Sequence, residues 1–192
     1  HEILSVSVPL TSNLRRNISN MLSDYDLSME QLVQCAWALL LGMYQGTNEV
    51  VVGITSSGRS GLDELINVPG CFIRTLPLRV LLKPEKLVKE WISDFVRKED
   101  WIFNHEHISL AKLSTMAHLM PGELLFNSVV TSGQVKSFGN TLWKIEYQET
   151  YAPYPLVIEV SDNDIQEIRI RFNTAYYRYS TVEQITHHLS QT

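Results

Sequence analysis

Two cysteines among 192 residues, Cys35 and Cys71, are all this chain offers toward a disulfide framework, and they lie far apart in apolar segments. They read as reduced, buried thiols that behave as small hydrophobes. Long hydrophobic runs are also missing. The longest, Leu32 to Tyr44, contains Gln34 and Gly42 and falls short of the ~20 residues that a membrane-crossing helix needs. The expectation is a soluble, cytoplasmic chain with no membrane partner. Basic clusters are absent and the net charge is −5, which argues against nucleic acid as a partner. No serine sits in a Gly-x-Ser-x-Gly elbow, and neither cysteine has a neighbouring base or helix N-terminus to lower its pKa. Nucleophilic catalysis by this chain alone is therefore unsupported. There is no internal repeat, low-complexity linker or targeting segment, and His1-Glu2 opens the chain without a start methionine. That beginning suggests a segment of a longer polypeptide.

What is present is ordinary globular composition, 44% hydrophobic and 19% charged, in a chain long enough for one domain or one lobe. Ile3 to Val8 alternates at period two and predicts a half-buried strand ended by Pro9. Thr11 or Ser12 caps a helix over Asn13 to Leu22. Ser28 and Gln31 form a capping box for a second helix, whose Leu32, Val33, Ala36, Trp37, Leu40 and Leu41 leave almost no polar face. That helix is expected to be central, with Gly46 as its C-cap. Val50 to Ile54 reads as an interior strand, followed by a loop rich in serine and glycine. A strand over Phe72 to Leu82 comes next, then a helix starting at Pro84-Glu85 with Leu87, Val88, Trp91, Ile92, Phe95 and Val96 on one stripe. A short helix is expected over Leu110 to Leu119. Phe126 to Thr131, Trp143 to Tyr147, Leu156 to Val160 and Ile168 to Phe172 read as strands of an antiparallel sheet with one wet face. Thr181 caps a terminal helix over Val182 to Leu189.

Several constellations carry less chemistry than their composition suggests. Gly53-Ile-Thr-Ser-Ser-Gly58-Arg59-Ser60 is one residue short of a phosphate-binding loop and has Arg59 where that mechanism needs a lysine. His105-Glu106-His107 does not form a metal pair on a helix, because residues two apart diverge by about 200°. It reads as a solvated helix end. Glu30, Glu49, Asp63, Glu64, Asp162 and Asp164 are taken as surface carboxylates, none paired for acid-base work.

The most informative run is Gly70-Cys71-Phe72-Ile73-Arg74-Thr75-Leu76-Pro77-Leu78-Arg79. It resembles the G-x-F-x-N-T-x-P-x-R signature in the second half of condensation domains of nonribosomal peptide synthetases. Five more segments resemble that family in the same order: Gln34 to Gly46, Val50 to Arg59, His105 to Leu110 (H-Q-H-V-P-L in the family), Leu125 to Ser128, and Tyr154-Pro155-Leu156. The resemblance implies an α/β fold, a two-layer α+β sandwich like one lobe of chloramphenicol acetyltransferase, with a mixed, largely antiparallel sheet packed by helices. The whole of residues 1–192 would be the C-terminal subdomain of a condensation domain. The family's catalytic H-H-x-x-x-D-G motif belongs to the first lobe and occurs nowhere in these residues. His187-His188 lack the following Asp-Gly and suit the C-terminal turn of a helix, where imidazolium complements the dipole.

In that family a donor thioester and an acceptor amine, both tethered to carrier domains, meet in a tunnel between the lobes. The resemblance thus implies as partners an N-terminal condensation lobe, donor and acceptor carrier domains and an adjacent adenylation domain. No cofactor would be bound directly; phosphopantetheine arms would come with the carriers. Candidate tunnel or interlobe residues are Gly70, Phe72, Arg74, Thr75, Arg79, Ser57, Arg59, Tyr154 and Pro155. Gly70 would allow close backbone approach, Phe72 would pack, Pro77 would keep its end of the strand off a ladder, and Arg79 would anchor the far end. Arg74 departs from the family's asparagine and points either to solvent or into an altered tunnel. Thr75 to Arg79 favours an amide-forming type. Alternative readings are a coenzyme-A-dependent acyltransferase lobe and a non-catalytic carrier-docking domain. The chain alone is expected to form no amide between two carrier-bound substrates; product formation by these 192 residues in a single-turnover assay would overturn the half-site reading.

Overall fold

A computed structural model describes residues 2–59, 64, 67–118, 128–133, 154–161 and 167–192. Along the chain run β1 (Ile3–Ser7), α1 (Ser12–Tyr25), α2 (Met29–Gln45), β2 (Glu49–Ser56), β3 (Arg74–Leu81), α3 (Val88–Phe103), α4 (Leu110–Met116), β4 (Ser128–Gly133), β5 (Leu156–Ser161), β6 (Ile168–Asn173) and α5 (Tyr179–Gln191). The strands make one sheet in the order β1-β6-β5-β4-β2-β3. Three of the five pairings are antiparallel, while β4 lies parallel to both β2 and β5. The mixed sheet matches the expected architecture. The antiparallel arrangement expected of the last third does not hold for β4 and β5, because alternation reports which face is wet and is silent on strand direction.

Alternation also assigns the layers. Val52 and Ile54 of β2, Leu76 and Leu78 of β3, Ile158 of β5, and Ile170 and Phe172 of β6 are buried on one side. Helix α2 contacts β2, β4 and β5 there, α3 contacts β3, and α5 contacts β1 and β6. The other side carries Glu49, Arg79, Glu159, Arg169 and Arg171, tied by the pairs Arg79–Glu49 at 2.5 Å and Arg171–Glu159 at 2.6 Å. The result is two layers with one core between them.

Helix α2 organises that core. Ser28 Oγ accepts from the Gln31 N–H at 3.1 Å and Gln31 Oε1 accepts from the Ser28 N–H at 3.0 Å, closing the capping box. At the other end Gly46 turns left-handed at φ 60° and returns its N–H to the Gly42 carbonyl. Between these caps Val33, Cys35, Trp37, Ala38 and Leu40 are buried, and each large apolar side chain withdrawn from water contributes about 1.5–3 kcal/mol. The Trp37 indole N–H donates to Ser128 Oγ at 2.8 Å, so its polar atom is satisfied against β4. Burial pushes the Cys35 thiol pKa up, with Glu99 adding to the effect. Cys71 is exposed, against expectation, because it precedes the strand that was to bury it.

Three other boundaries move. β3 begins at Arg74, leaving Phe72 in the preceding loop. Pro84 and Glu85 form a turn, and α3 starts at Val88 after an extended Leu87, so both residues stay exposed while Trp91, Ile92 and Phe95 face inward. Helix α5 starts earlier, after Arg178, and Thr181 lies inside it with its N–H bonded to the Arg178 carbonyl at 3.1 Å. Pro77 lies within the ladder opposite Gly53 rather than ending it, which is tolerated because β3 is an edge strand. The expected strand at Trp143 to Tyr147 and the ends of the Leu110 to Leu119 and Phe126 to Thr131 elements lie outside the described residues. Between α1, α2 and residues 82–92 opens a cavity of about 750 Å³ with a largely apolar lining that includes Met21, Met29 and Trp91.

The two cap assignments separate cleanly by mutation. Ser28→Ala is expected to cost about 1 kcal/mol in urea unfolding, whereas Thr181→Ala should change stability by less than about 0.5 kcal/mol.

Candidate functional site

Strands β2 and β3 place their ends side by side, with Ser56 opposite Arg74. The loop that joins them folds onto itself at Gly58. There φ is +69°, and a Cβ would stand 1.8 Å from the Phe72 carbonyl oxygen, so glycine alone lets the two limbs touch. Ser56 Oγ accepts from the Gly58 N–H at 3.2 Å, and Ser57 Oγ accepts from the Arg59 N–H at 3.3 Å. Arg59 ties the limbs from outside. Its guanidinium sits 4.4 Å from the centre of the Phe72 ring and donates to the Gly70 carbonyl at 3.2 Å.

The turn after α3 closes the cluster. Glu106 is buried there, its carboxylate taking a short hydrogen bond from Ser56 Oγ. Its backbone carbonyl accepts from Arg74 Nη1 at 3.0 Å. Arg74, which stands where the resembled pattern has asparagine, thus rests on the backbone of the turn that carries Glu106. His105 stacks on Trp101 with ring centres 4.2 Å apart and lies 6.4 Å from the His107 ring. Both histidines are exposed, which fits a solvated helix end; Glu106 between them is the exception. Among the described residues no three His, Cys, Asp or Glu side chains gather as a metal site.

The nine sequence-predicted site residues fall into two groups. Ser57, Arg59, Gly70, Phe72, Arg74 and Thr75 share the end of the sheet just described. Arg79, Tyr154 and Pro155 lie at the other end. Register aligns Gly53 with Val129 and Val129 with Val157, so Tyr154 is six residues from the Ser56 level, a separation of roughly 20 Å along the strands. Arg79 is held there by Glu49, which accepts at 2.5 and 2.8 Å and whose own pKa is lowered by that contact. The Pro155 carbonyl accepts from the Asn173 N–H at 3.0 Å.

Two buried carboxylates escaped the sequence reading. Glu99 follows Phe95 by one helical turn, so the apolar stripe itself marks position 99 as inward. Burial raises its pKa, opposed by hydrogen bonds from Gln31, at 2.7 Å, and Gln34. Glu106 carries no such signal, since its burial follows from how the turn folds back. His188 occupies the last turn of α5 with Nδ1 2.7 Å from the Tyr44 hydroxyl.

The cluster presents a surface with no assembled reaction centre among the described residues. Its one hydroxyl–carboxylate pair among the described residues, Ser56 with Glu106, is buried and internally satisfied, while Ser57 and Arg74 are exposed beside the half-buried Phe72. The condensation domain family model matches residues 3–192, and the chain belongs to that family. Among curated relatives it is 24% identical over 191 residues to a linear gramicidin synthase of Brevibacillus parabrevis, covering 96% of this chain and 4% of that protein. It is 26% identical over 162 residues to chondramide synthase cmdD of Chondromyces crocatus, covering 79% and 4%. Solved structures share the fold. The X-domain from teicoplanin biosynthesis matches with a TM-score of 0.77 at 18% identity, covering 99% of this chain and 47% of that one. The first condensation domain of the calcium-dependent antibiotic synthetase, in complex with a substrate analogue, matches at 0.73 and 15%, covering 99% and 43%. The chain therefore spans less than half of these structures and a small fraction of the synthetases.

Gly58→Ala is expected to destabilise the chain by about 2 kcal/mol or more, since it combines a left-handed backbone with a clash against main-chain atoms. A denaturant midpoint equal to that of the parent chain would contradict the close approach.

Proposed function

We propose that this chain is the second lobe of a peptide-synthetase condensation domain and supplies one wall of the tunnel in which a carrier-bound acyl donor and an aminoacyl acceptor are joined by an amide bond. The observation that carries the reading is the family match over residues 3–192 together with coverage of under half of solved relatives. The wall at the β2–β3 end contributes position, not proton transfer: holding two tethered reactants in register removes much of the entropic barrier to their reaction. The polar catalytic group comes from the H-H-x-x-x-D-G motif of the first lobe. Partners in this reading are that lobe, two carrier domains with their phosphopantetheine arms and a neighbouring adenylation domain, all in the cytoplasm. Among the described residues no helix is long and apolar enough to cross a membrane.

The test uses the polypeptide that carries this chain behind an intact paired-histidine lobe, with separately loaded donor and acceptor carriers. Dipeptidyl-carrier product is expected, and Phe72→Ala should lower kcat/KM about tenfold, an effect of about 1.4 kcal/mol on the barrier, with carrier loading unchanged. Absence of product with any donor, or full activity in the Phe72 variant, would defeat the proposal.

A further inference from the structure

Arg74 is a cation that the fold positions without neutralising. Its side chain is exposed and Nη1 donates to the Glu106 backbone carbonyl at 3.0 Å. A guanidinium has five N–H donors in a planar fork, so most of this fork remains for something else. The carboxylate of Glu106 is buried and bonded to Ser56 Oγ. That brace fixes the carbonyl on which Arg74 rests. Among the described residues Arg74 forms no ion pair, unlike Arg79, which Glu49 grips. The other guanidinium at this end, that of Arg59, is engaged with the Phe72 ring and the Gly70 carbonyl.

A purely structural tie to one backbone carbonyl needs a single neutral donor. A charged, oriented fork with donors to spare suits a planar anion instead, because two parallel N–H bonds to a carboxylate combine charge with geometry. We propose that Arg74 is a specificity-determining residue that reads a carboxylate on the carrier-bound acyl group, so that acidic aminoacyl or dicarboxylic acyl groups are favoured at this wall. The inference rests on the tunnel-wall reading above. Ser56 and Glu106 are positioning residues in it, acting through Arg74.

Amide-linked N-acetyl-aspartyl-pantetheine and N-acetyl-asparaginyl-pantetheine, identical except for the charge, test this in titrations of the chain followed by backbone NMR. The aspartyl probe is expected to bind about tenfold more tightly at low salt, with shifts at Ser57, Phe72 and Arg74, and to lose most of that advantage at high salt as the charges are screened. Arg74→Asn should abolish the preference, lowering the aspartyl affinity to that of the asparaginyl probe. Arg74→Lys should retain part of it, and Arg79→Asn, at the other end of the sheet, all of it. Equal affinity for the two probes with shifts at Ser57 and Phe72 would overturn the anion reading and leave the wall intact. A preference that survives Arg74→Asn, or that appears for an asparaginyl probe once it carries the phosphate of the pantetheine arm, would overturn it as well. No shift at this end with either probe would count against both the anion reading and the wall.

Discussion

A helix with almost no polar face has to be enclosed, and the enclosure of α2 is the constraint from which the rest of this fold follows. Its capping box and left-handed terminus hold a helix whose intrinsic amphipathicity is weak, and most of its stability must then come from packing on all sides. The sheet covers one side through β2, β4 and β5, and α3 and α5 cover the flanks. The bond from Trp37 to Ser128 ties the helix to a strand 91 residues away in sequence. Long-range contacts of this kind tie the helical layer to the sheet. The parallel β2–β4–β5 stripe sits at the centre because both of its faces are largely withdrawn from water, as Val129 and Val157 on the far side show.

The functional end inherits its geometry from that frame. Antiparallel register puts Ser56 beside Arg74, and the rest is local chemistry at the strand termini. Gly58 lets the loop limbs meet, Arg59 laces them, and the turn after α3 delivers a buried carboxylate to the hydroxyl at the end of β2. Ser56, Ser57, Arg59 and Glu106 all find partners within the cluster, and Arg74 keeps donors to spare.

Legibility in the sequence followed from how local the determining interactions are. The caps at Ser28 and Gly46, the buried run of α2 and the alternation of β6 were readable because each depends on residues within one or two turns or a few strand positions. Cys71, Leu87 and Val88 were misplaced for one reason: apolar character says that a segment prefers burial, while strand and helix starts depend on turn geometry that the apolar pattern does not contain. Thr181 resembles a cap in isolation, yet the helix had already begun at Tyr179. At the site, Ser57 to Thr75 could be gathered from neighbouring motifs, but Tyr154, Pro155 and Arg79 were grouped with them by motif order alone, and register placed them at the opposite end. The burial of Glu106 was invisible because it is a tertiary outcome.

One consequence concerns the outer edge of the sheet. β3 is the last strand on its side, and an unpaired edge is a template on which foreign strands can grow. Midway along it Pro77 has no N–H to offer, and beside it the exposed Arg79 carries charge. A stray extended segment aligned there would lose a bond at its centre and meet a guanidinium next to the gap. The same proline that the sequence signature carries thus also guards this edge against fibrous self-assembly.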